Sequence, residues 1–253
     1  MSPLFTGVGV ALITLFDQTG KLDAEATAAQ AHRLVQLGLQ AVLVAGTTGE
    51  VAMLSDPEHR ELVAVIAQRV RGKATVIAGV GVGSAVEVGQ RAAAARSSGA
   101  DCLLVPPPLN FSLEAHYREI KRAADNLPLL AHHQPDKYPP GISLELLGSL
   151  PLAGCKDSTG DPKRLLDEVA SNATPIYAGS SSLISLAASI GSAGALLGIA
   201  NAYPELSMRA FAGDGEAQLR LHVVQQKVKQ MASLQNIKDL ANERFGTSVV
   251  TRI

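Results

Sequence analysis

The sequence predicts an α/β fold, a (β/α)8 TIM barrel with a short extra C-terminal helix. Three observations support this prediction. The chain has 253 residues, close to the roughly 250 that are typical of such barrels. It contains eight short apolar runs, and a helical pattern follows each of them. The residues are 47% hydrophobic but only 4% aromatic, and a core of small aliphatic side chains suits layered packing inside a barrel better than a β-sandwich.

The predicted strands are rich in β-branched residues or leucine, and their apolar residues are continuous rather than alternating. Continuous runs are typical of parallel strands that are covered on both faces. Their alternation with helices indicates βαβ units. No G-x-G-x-x-G turn follows the first strand, which argues against an open dinucleotide-binding sheet. In chain order the predicted strands are Gly9–Thr14, Ala41–Ala45, Thr75–Val80, Cys102–Pro106, Leu127–His132, Leu152–Lys156, Pro175–Ala178 and Ala193–Ile199.

Helix boundaries are marked by local signals. Ser55–Glu58 and Ser84–Glu87 both have serine followed three residues later by glutamate, the pattern of a capping box. Gly38 and Gly99 follow helical segments and are expected to be the first residues beyond the helix ends. After the last strand, Pro204–Asn242 predicts the eighth barrel helix and about one more.

We expect residues 1–253 to form one domain, because no linker or low-complexity tract interrupts the pattern. In this organisation residues 1–203 supply the strands and the main helices. Residues 204–253 supply a C-terminal helical segment.

Composition excludes several classes of partner. The net charge is −1 and basic residues form no stripe, so we expect no nucleic-acid partner. The apolar run Gly7–Phe16 is too short to span a bilayer, so no membrane partner is expected. Cys102 and Cys155 both lie in predicted strands and are interpreted as small buried hydrophobes. A reducing, cytoplasmic location fits this interpretation.

Lys156 is the residue that most strongly suggests a function. It lies near the end of a predicted buried strand in the segment Leu152–Gly160. Apolar surroundings disfavour the charged form of an amine, and a neutral amine can attack a ketone to form a Schiff base. The alternative is a lysine that extends from a strand end into solvent.

Glycine-bearing loops follow several predicted strands. Gly46-Thr-Thr-Gly-Glu50 could bind a carboxylate through its N–H groups, or it could be a simple turn. Gly179-Ser-Ser-Ser182 could bind an anion or cap a helix, and capping is the favoured interpretation. Gly79-Val-Gly-Val-Gly83 indicates a strand end that approaches a ligand, or a tight turn.

The adjacent histidines His132 and His133 do not predict a metal site. Successive strand residues point to opposite faces, so the two side chains cannot chelate one ion. Alternation alone does not say which of them faces inward. We expect no metal and no cofactor. The remaining histidines lie in predicted helices and away from strand ends: His32, His59, His116 and His222.

Three motifs in order carry a family resemblance: GTTGE after the second strand, a fifth strand that ends close to a proline, and GCKDSTG on the sixth. This order resembles the dihydrodipicolinate synthase / N-acetylneuraminate lyase family. Members of that family are barrel enzymes that form a Schiff base between a lysine and pyruvate or another 2-oxo acid. The resemblance runs through the whole barrel, including Gly194–Asn201 on the eighth strand. It also implies a homo-oligomer, a dimer or a tetramer built from dimers.

The resemblance implies roles for individual residues. Lys156 looks like the Schiff-base lysine, and Thr47 looks like the threonine of a proton relay. Thr48 corresponds to the group that binds the 2-oxo-acid carboxylate, with Gly49 beside it in the same substrate-binding loop. The positions that line the pyruvate site correspond to Gly179 and Leu196.

This chain departs from the family pattern at three positions. His132 stands where the family has a tyrosine that donates and accepts protons, and an imidazole could transfer protons near neutral pH. Pro108, in the segment Val105–Leu109, replaces a second relay tyrosine. Lys137 replaces an arginine that binds the second substrate, so the charge is kept and the bidentate fork is lost.

We therefore expect a class I, lysine-dependent lyase or aldolase that acts on pyruvate or another small 2-oxo acid. In this hypothesis Lys156, His132 and Thr47 are catalytic, and Lys137 contributes to substrate binding. Two alternatives remain open. One is a true dihydrodipicolinate synthase with an altered relay, and the other is a catalytically reduced barrel that binds a 2-oxo acid.

Overall fold

A computed structural model describes residues 2–108, 112–229 and 233–252. Its eight parallel strands form a closed barrel in which each strand pairs with the next and the last pairs with the first. The predicted (β/α)8 TIM barrel is confirmed. The strands are β1 (Gly7–Ala11), β2 (Ala41–Val44), β3 (Thr75–Gly79), β4 (Cys102–Val105), β5 (Leu129–His133), β6 (Gly154–Asp157), β7 (Ile176–Ala178) and β8 (Gly194–Leu197).

Helices alternate with the strands and surround the barrel. Two of them, α9 and α10, follow the eighth barrel helix α8. The helices are α1 (Ala24–Gln36), α2 (Asp56–Val70), α3 (Ala85–Ser97), α4 (Leu113–Ala123), α5 (Leu144–Ser149), α6 (Pro162–Ser171), α7 (Ile184–Ser189), α8 (Pro204–Phe211), α9 (Gly215–Lys229) and α10 (Ser233–Phe245).

The C-terminal helical segment contains one helix more than the sequence predicted for Pro204–Asn242. The break between α8 and α9 lies at Gly213, whose φ of +95° ends the first helix. Asp214 follows, and its carboxylate accepts a hydrogen bond from the Ala217 N–H at 3.0 Å. A left-handed residue followed by a side-chain cap is a helix boundary.

The first strand begins two residues earlier than predicted and ends three residues earlier, at Ala11. Beyond it the chain leaves the sheet, because its polar groups find other partners. The N–H of Ile13 donates to the side chain of Asn201 at 3.1 Å. The hydroxyl of Thr14 donates to the carbonyl of Gly49 at 2.6 Å. These long-range contacts replace strand pairing and leave no local sequence signal.

The local helix signals are confirmed. Both predicted capping boxes are present, with the side chains of Ser55 and Ser84 accepting from the N–H groups of Glu58 and Glu87. Gly38 and Gly99 stand just beyond α1 and α3 with φ of +112° and +94°, values that an L side chain rarely adopts.

The amino-terminal half of the barrel interior is filled. Tyr177 is fully buried there, and its hydroxyl accepts a hydrogen bond from the Leu4 N–H at 2.8 Å. Its ring stacks on Phe5 with 4.6 Å between centroids. An interior that is closed at this end leaves the carboxyl ends of the strands as the place for a site. Further residues of the same cluster are Ala11, Ala41, Leu43, Ile77, Cys102, Leu104, Leu130 and Leu196.

Both cysteines are free and buried, as expected, and burial raises the pKa of each thiol. Within residues 2–108, 112–229 and 233–252, no helix is both long enough and apolar enough to cross a membrane.

A buried ion pair fixes the loop that follows β2. Ala45 and Glu50 bracket this loop, and both adopt positive φ, +51° and +56°, which costs about 1–2 kcal/mol for a residue with a side chain. The Glu50 carboxylate accepts from the Lys238 ammonium at 2.6 Å, and both side chains are 0% exposed. Its other oxygen accepts from the backbone N–H of Arg252 at 2.7 Å. Helix α10 and the C-terminal residues thus hold the strained loop in place.

We predict that Lys238→Met lowers the free energy of unfolding by about 3–5 kcal/mol, because it leaves the Glu50 carboxylate buried without its cation. Adding Glu50→Gln to that variant should recover most of the loss, since the buried charge is then removed as well. Urea unfolding monitored by circular dichroism measures both effects. The exposed pair of Lys163 and Asp167 provides the control, because Lys163→Met should leave the urea midpoint unchanged. Equal losses in Lys238→Met and Lys163→Met would contradict the prediction.

Candidate active site

Lys156 and His132 face each other at the carboxyl ends of neighbouring strands. They are register partners on β6 and β5, and both are buried. The ammonium nitrogen Nζ of Lys156 lies 3.4 Å from Nε2 of His132. The same Nε2 lies 3.0 Å from Oγ of Ser158. An ammonium can only donate, so Nε2 of His132 is the acceptor when Lys156 is charged.

His133 points the other way and is part of the framework. Its Nδ1 accepts the backbone N–H of Ile142 at 2.9 Å. Gly141 packs directly on the ring, since a Cβ at that position would lie 2.7 Å from Cε1 of His133. Strand alternation thus separates the two histidines, and the structure shows that His132 is the one that faces Lys156.

The environment of Lys156 favours the neutral amine. Burial lowers the pKa of Lys156 to about 8, although Asp157 and Cys155 partly oppose the shift. At pH 7 about a tenth of the side chain is then unprotonated, compared with less than about a thousandth for a lysine of ordinary pKa. The gain in nucleophilic amine is therefore more than a hundredfold.

The environment of His132 favours the neutral imidazole. Burial lowers its pKa well below the usual value, and the positive charges of Lys156 and Lys137 lower it further. The sequence of the fifth strand alone does not show the burial that causes this shift. The proton-transfer role expected of His132 stays a prediction.

The loop after β2 contains hydrogen-bond donors without a partner, and its residues Thr47 and Thr48 line a cavity. Among the described residues, the backbone N–H groups of Thr47 and Thr48 and the hydroxyl of Thr48 have no hydrogen-bond partner. Gly49 differs, because its N–H donates to the Gly46 carbonyl at 3.1 Å and its carbonyl accepts from Thr14. Gly49 therefore shapes the loop and offers no free group to a ligand.

Tyr138 is a site residue that the sequence analysis missed. Its hydroxyl lies 3.2 Å from the Thr47 hydroxyl, and its ring meets the His132 ring edge-on, with 5.5 Å between centroids. Burial raises the pKa of the phenol, partly opposed by the bond to Thr47. A loop brings Tyr138 back over the barrel mouth, and no local pattern predicts that return.

Ser158 is the second missed residue, and strand alternation could have found it. It lies two positions after Lys156 and therefore on the same face. Gly179 is required beside it, because a Cβ at Gly179 would collide with Oγ of Ser158 and lie 3.1 Å from Cε of Lys156. Leu196 is fully buried in the barrel interior, where its Cδ1 would lie 2.9 Å from a Cβ at Gly9.

The structure also corrects the interpretations of the serines after Gly179 and of His59. The serines after Gly179 do not cap α7, which begins at Ile184 without a side-chain cap. His59, placed away from strand ends by the sequence analysis, lies with Nε2 2.8 Å from the carbonyl oxygen of Gly79 at the end of β3. Gly79 lies against the backbone of Ala45, where a Cβ would collide with the carbonyl oxygen of Ala45. A glycine is therefore needed at this strand end for the contact with the loop after β2.

A cavity of about 300 Å³ opens next to the loop after β2. Lys137 lies at its wall with Nζ 6.0 Å from the centre of the Tyr138 ring, and desolvation lowers the pKa of this ammonium. Within the described ranges, no three His, Cys, Asp or Glu side chains are grouped so that they could hold a metal ion.

Comparisons with known proteins agree with the architecture. Residues 4–243 match the model of the Dihydrodipicolinate synthetase family. The chain is 36% identical over 210 residues to an uncharacterized DapA-like lyase from Halobacterium salinarum, a match that covers 79% of this chain and 69% of that protein. Dihydrodipicolinate synthase from Aquifex aeolicus has a similar structure, with a TM-score of 0.78 and 28% identity over 89% of this chain and 82% of that one. YagE from Escherichia coli K12, in complex with pyruvate, has the same fold, with a TM-score of 0.86 and 22% identity over 98% and 91% of the two chains.

We predict that one lysine of the folded protein becomes neutral as the pH rises through about 8. The measurement is the pH dependence of the Cε chemical shift in protein labelled with 13C-lysine. That signal should be missing from Lys156→Met. Lys163 is the internal control, because its partner Asp167 raises the pKa of its ammonium above the ordinary value. A Lys156 signal that titrates together with that of Lys163 would contradict the prediction.

Proposed function

The chain belongs to the dihydrodipicolinate synthetase family, whose members are class I lyases and aldolases, and on this premise we propose that Lys156 forms a Schiff base with pyruvate or another small 2-oxo acid. The single observation that carries the proposal is the buried Lys156 amine of lowered pKa, 3.4 Å from Nε2 of His132. An ordinary surface lysine has neither property.

The carboxylate of the 2-oxo acid binds to the loop after β2. Unpaired N–H groups of Thr47 and Thr48 and the hydroxyl of Thr48 supply donors for its two oxygens. Hydrogen bonds to an anion are among the stronger ones, so these donors orient the ketone. Gly179 keeps the space beside the Lys156 side chain open, and Leu196 closes the barrel below it.

Imine formation begins when the neutral amine of Lys156 attacks the ketone carbon. The nitrogen loses a proton to Nε2 of His132, which passes it to the former carbonyl oxygen to give the neutral carbinolamine. A second proton, taken up from solvent and delivered through His132, lets the hydroxyl leave as water, and the nitrogen keeps its remaining proton in the protonated imine. Because its pKa is low, the imidazolium formed in each transfer gives its proton up readily.

The protonated imine then withdraws electrons from the neighbouring carbon. A carbon–carbon bond to that carbon can break to give the enamine and an aldehyde, or form in the reverse direction. The hydroxyl that becomes the aldehyde must lose a proton in the cleavage direction. The hydrogen-bonded hydroxyls of Tyr138 and Thr47 are the groups proposed to accept and relay it. Lys137 is positioned for an anionic group on the second reactant.

We predict that borohydride reduction in the presence of pyruvate attaches the 2-oxo acid covalently to Lys156, since the reduced imine is a stable secondary amine. Peptide mass spectrometry locates the label. Lys156→Ala should take up none and should keep the urea midpoint within a small shift. Labelling at Lys137 or Lys163 instead, or no labelling by any small 2-oxo acid, would overturn the proposal. Labelling without turnover of any aldehyde would favour the alternative of a catalytically reduced barrel.

We predict that His132→Phe lowers turnover by roughly 10²–10⁴-fold, the usual loss when a general acid–base group is removed. His132→Tyr should recover part of that loss by supplying a hydroxyl at the same strand end. The matched control is His133→Phe, which alters a framework contact on the opposite face and should leave turnover nearly unchanged in the folded fraction. Tyr138→Phe separates the steps, because it should slow aldehyde turnover while pyruvate labelling proceeds at the normal rate. Normal turnover in His132→Phe would remove His132 from the mechanism.

A further inference from the structure

Resting on the proposed Schiff-base chemistry, we infer that the second reactant is an aldehyde with an apolar body and without an ammonium group. This inference concerns the part of the cavity that lies beyond the carboxylate-binding loop. Its lining selects between three kinds of aldehyde: alkyl or aromatic, polyhydroxylated, and amino-bearing.

The outer wall of the cavity is apolar. The side chains of Val51, Met53, Val82, Leu234 and Ile237 line it. Met53 and Val82 are 40% and 42% exposed, so a bound body would cover apolar surface that water now contacts. Each methylene that is buried there strengthens binding about fourfold.

The charged side chains that reach this wall from helices α2 and α3 and from the strained loop are already engaged. The Arg91 guanidinium donates to Asp56 at 3.0 Å and to the Val80 carbonyl at 3.3 Å. Both carboxylate oxygens of Glu50 are occupied by Lys238 and by the Arg252 N–H. Glu50 therefore has no oxygen left over for a ligand, whereas Arg91 keeps N–H donors that have no partner.

In the described lining, the side-chain groups without a hydrogen-bond partner are therefore the Thr48 hydroxyl, the Lys137 ammonium and the remaining N–H donors of Arg91. Thr48 serves the 2-oxo-acid carboxylate in the proposed function. All three groups suit an anion, and no free carboxylate faces the cavity among these residues, so a substrate ammonium would have no counter-charge. A polyhydroxylated body is disfavoured against the apolar wall, because each hydroxyl buried there without a partner weakens binding by roughly 2- to 30-fold.

Lys137 adds one further property to the predicted reactant. Lys137 is a cation of the described lining without an ion-pair partner, and it favours an anionic group at the far end of the apolar body. The volume of about 300 Å³ lies at the lower limit of small-molecule sites, roughly 300–1,000 Å³. The reactant is therefore a small aldehyde, with or without a terminal carboxylate.

Four aldehydes with the same number of carbons test the inference: butanal, succinic semialdehyde, aspartate semialdehyde and erythrose. Each is incubated with the enzyme and pyruvate, and the rate of condensation gives kcat/KM. We expect succinic semialdehyde to exceed aspartate semialdehyde by at least about tenfold, because the two differ only in the ammonium group. Butanal should exceed erythrose by a similar factor. A kcat/KM for aspartate semialdehyde or erythrose that equals or exceeds that of its partner overturns the inference, as does the absence of condensation with all four.

Variants locate the selectivity in the wall. Val51→Thr and Val82→Thr keep the side-chain shape and add a hydroxyl, and each should lower kcat/KM for butanal by roughly 2- to 30-fold. Val86→Thr is the matched control, because Val86 is a 69% exposed valine of α3 that does not line the cavity. An unchanged kcat/KM for butanal in both wall variants would overturn the assignment of this wall.

Pyruvate labelling separates this inference from the proposed function. If Lys156 is labelled in the wild type and in both wall variants while the aldehyde preference is reversed, only the inference about the second reactant fails. If Lys156 is not labelled at all, the Schiff-base proposal itself fails.

Discussion

The buried ion pair between Glu50 and Lys238 is the interaction on which the geometry of the site depends. It joins three parts of the chain that are far apart in sequence: the loop after β2, helix α10 and the C-terminal residues. A buried pair of charges is rarely the most stabilising choice for a core position. Here it holds a loop whose two ends, at Ala45 and Glu50, have left-handed backbone conformations. Thr47 and Thr48, whose backbone N–H groups have no partner, lie within that loop and line the cavity.

A second constraint acts on the chemistry. Lys156 and His132 lie together, buried, at the carboxyl ends of their strands, where the charge of Lys156 lowers the pKa of His132. Burial is the largest cause of the lowered pKa of both side chains. Packing thus changes the pKa of both groups. Nearby, the hydroxyls of Tyr138 and Thr47 are hydrogen-bonded to each other.

Most of the fold could be predicted from local patterns, whereas the contacts between the site residues could not. Apolar runs located all eight strands, and capping signals located the starts of α2 and α3. Lys156 stood out because a charged residue in an apolar run is visible locally. The contact of Tyr138 with Thr47, the ion pair of Lys238 with Glu50 and the lowered pKa of His132 all arise from contacts between residues distant in sequence. The third C-terminal helix was missed because Pro204–Asn242 looks continuously helical unless Gly213 is given a left-handed conformation. The roles assigned to the site residues remain proposals.

The contrast between His132 and His133 limits how this protein can change over evolutionary time. One imidazole faces the reactive amine and its neighbour supports the framework, although the two are chemically identical and adjacent in sequence. Only the odd or even position along β5 distinguishes them. An insertion or deletion of a single residue within that strand would exchange the places of the two histidines. Every strand residue on the same side of that change would also turn from the barrel interior to the helix-facing side, or the reverse. Changes in length are therefore tolerated in the loops on either side of β5, while the strand itself must vary by substitution alone.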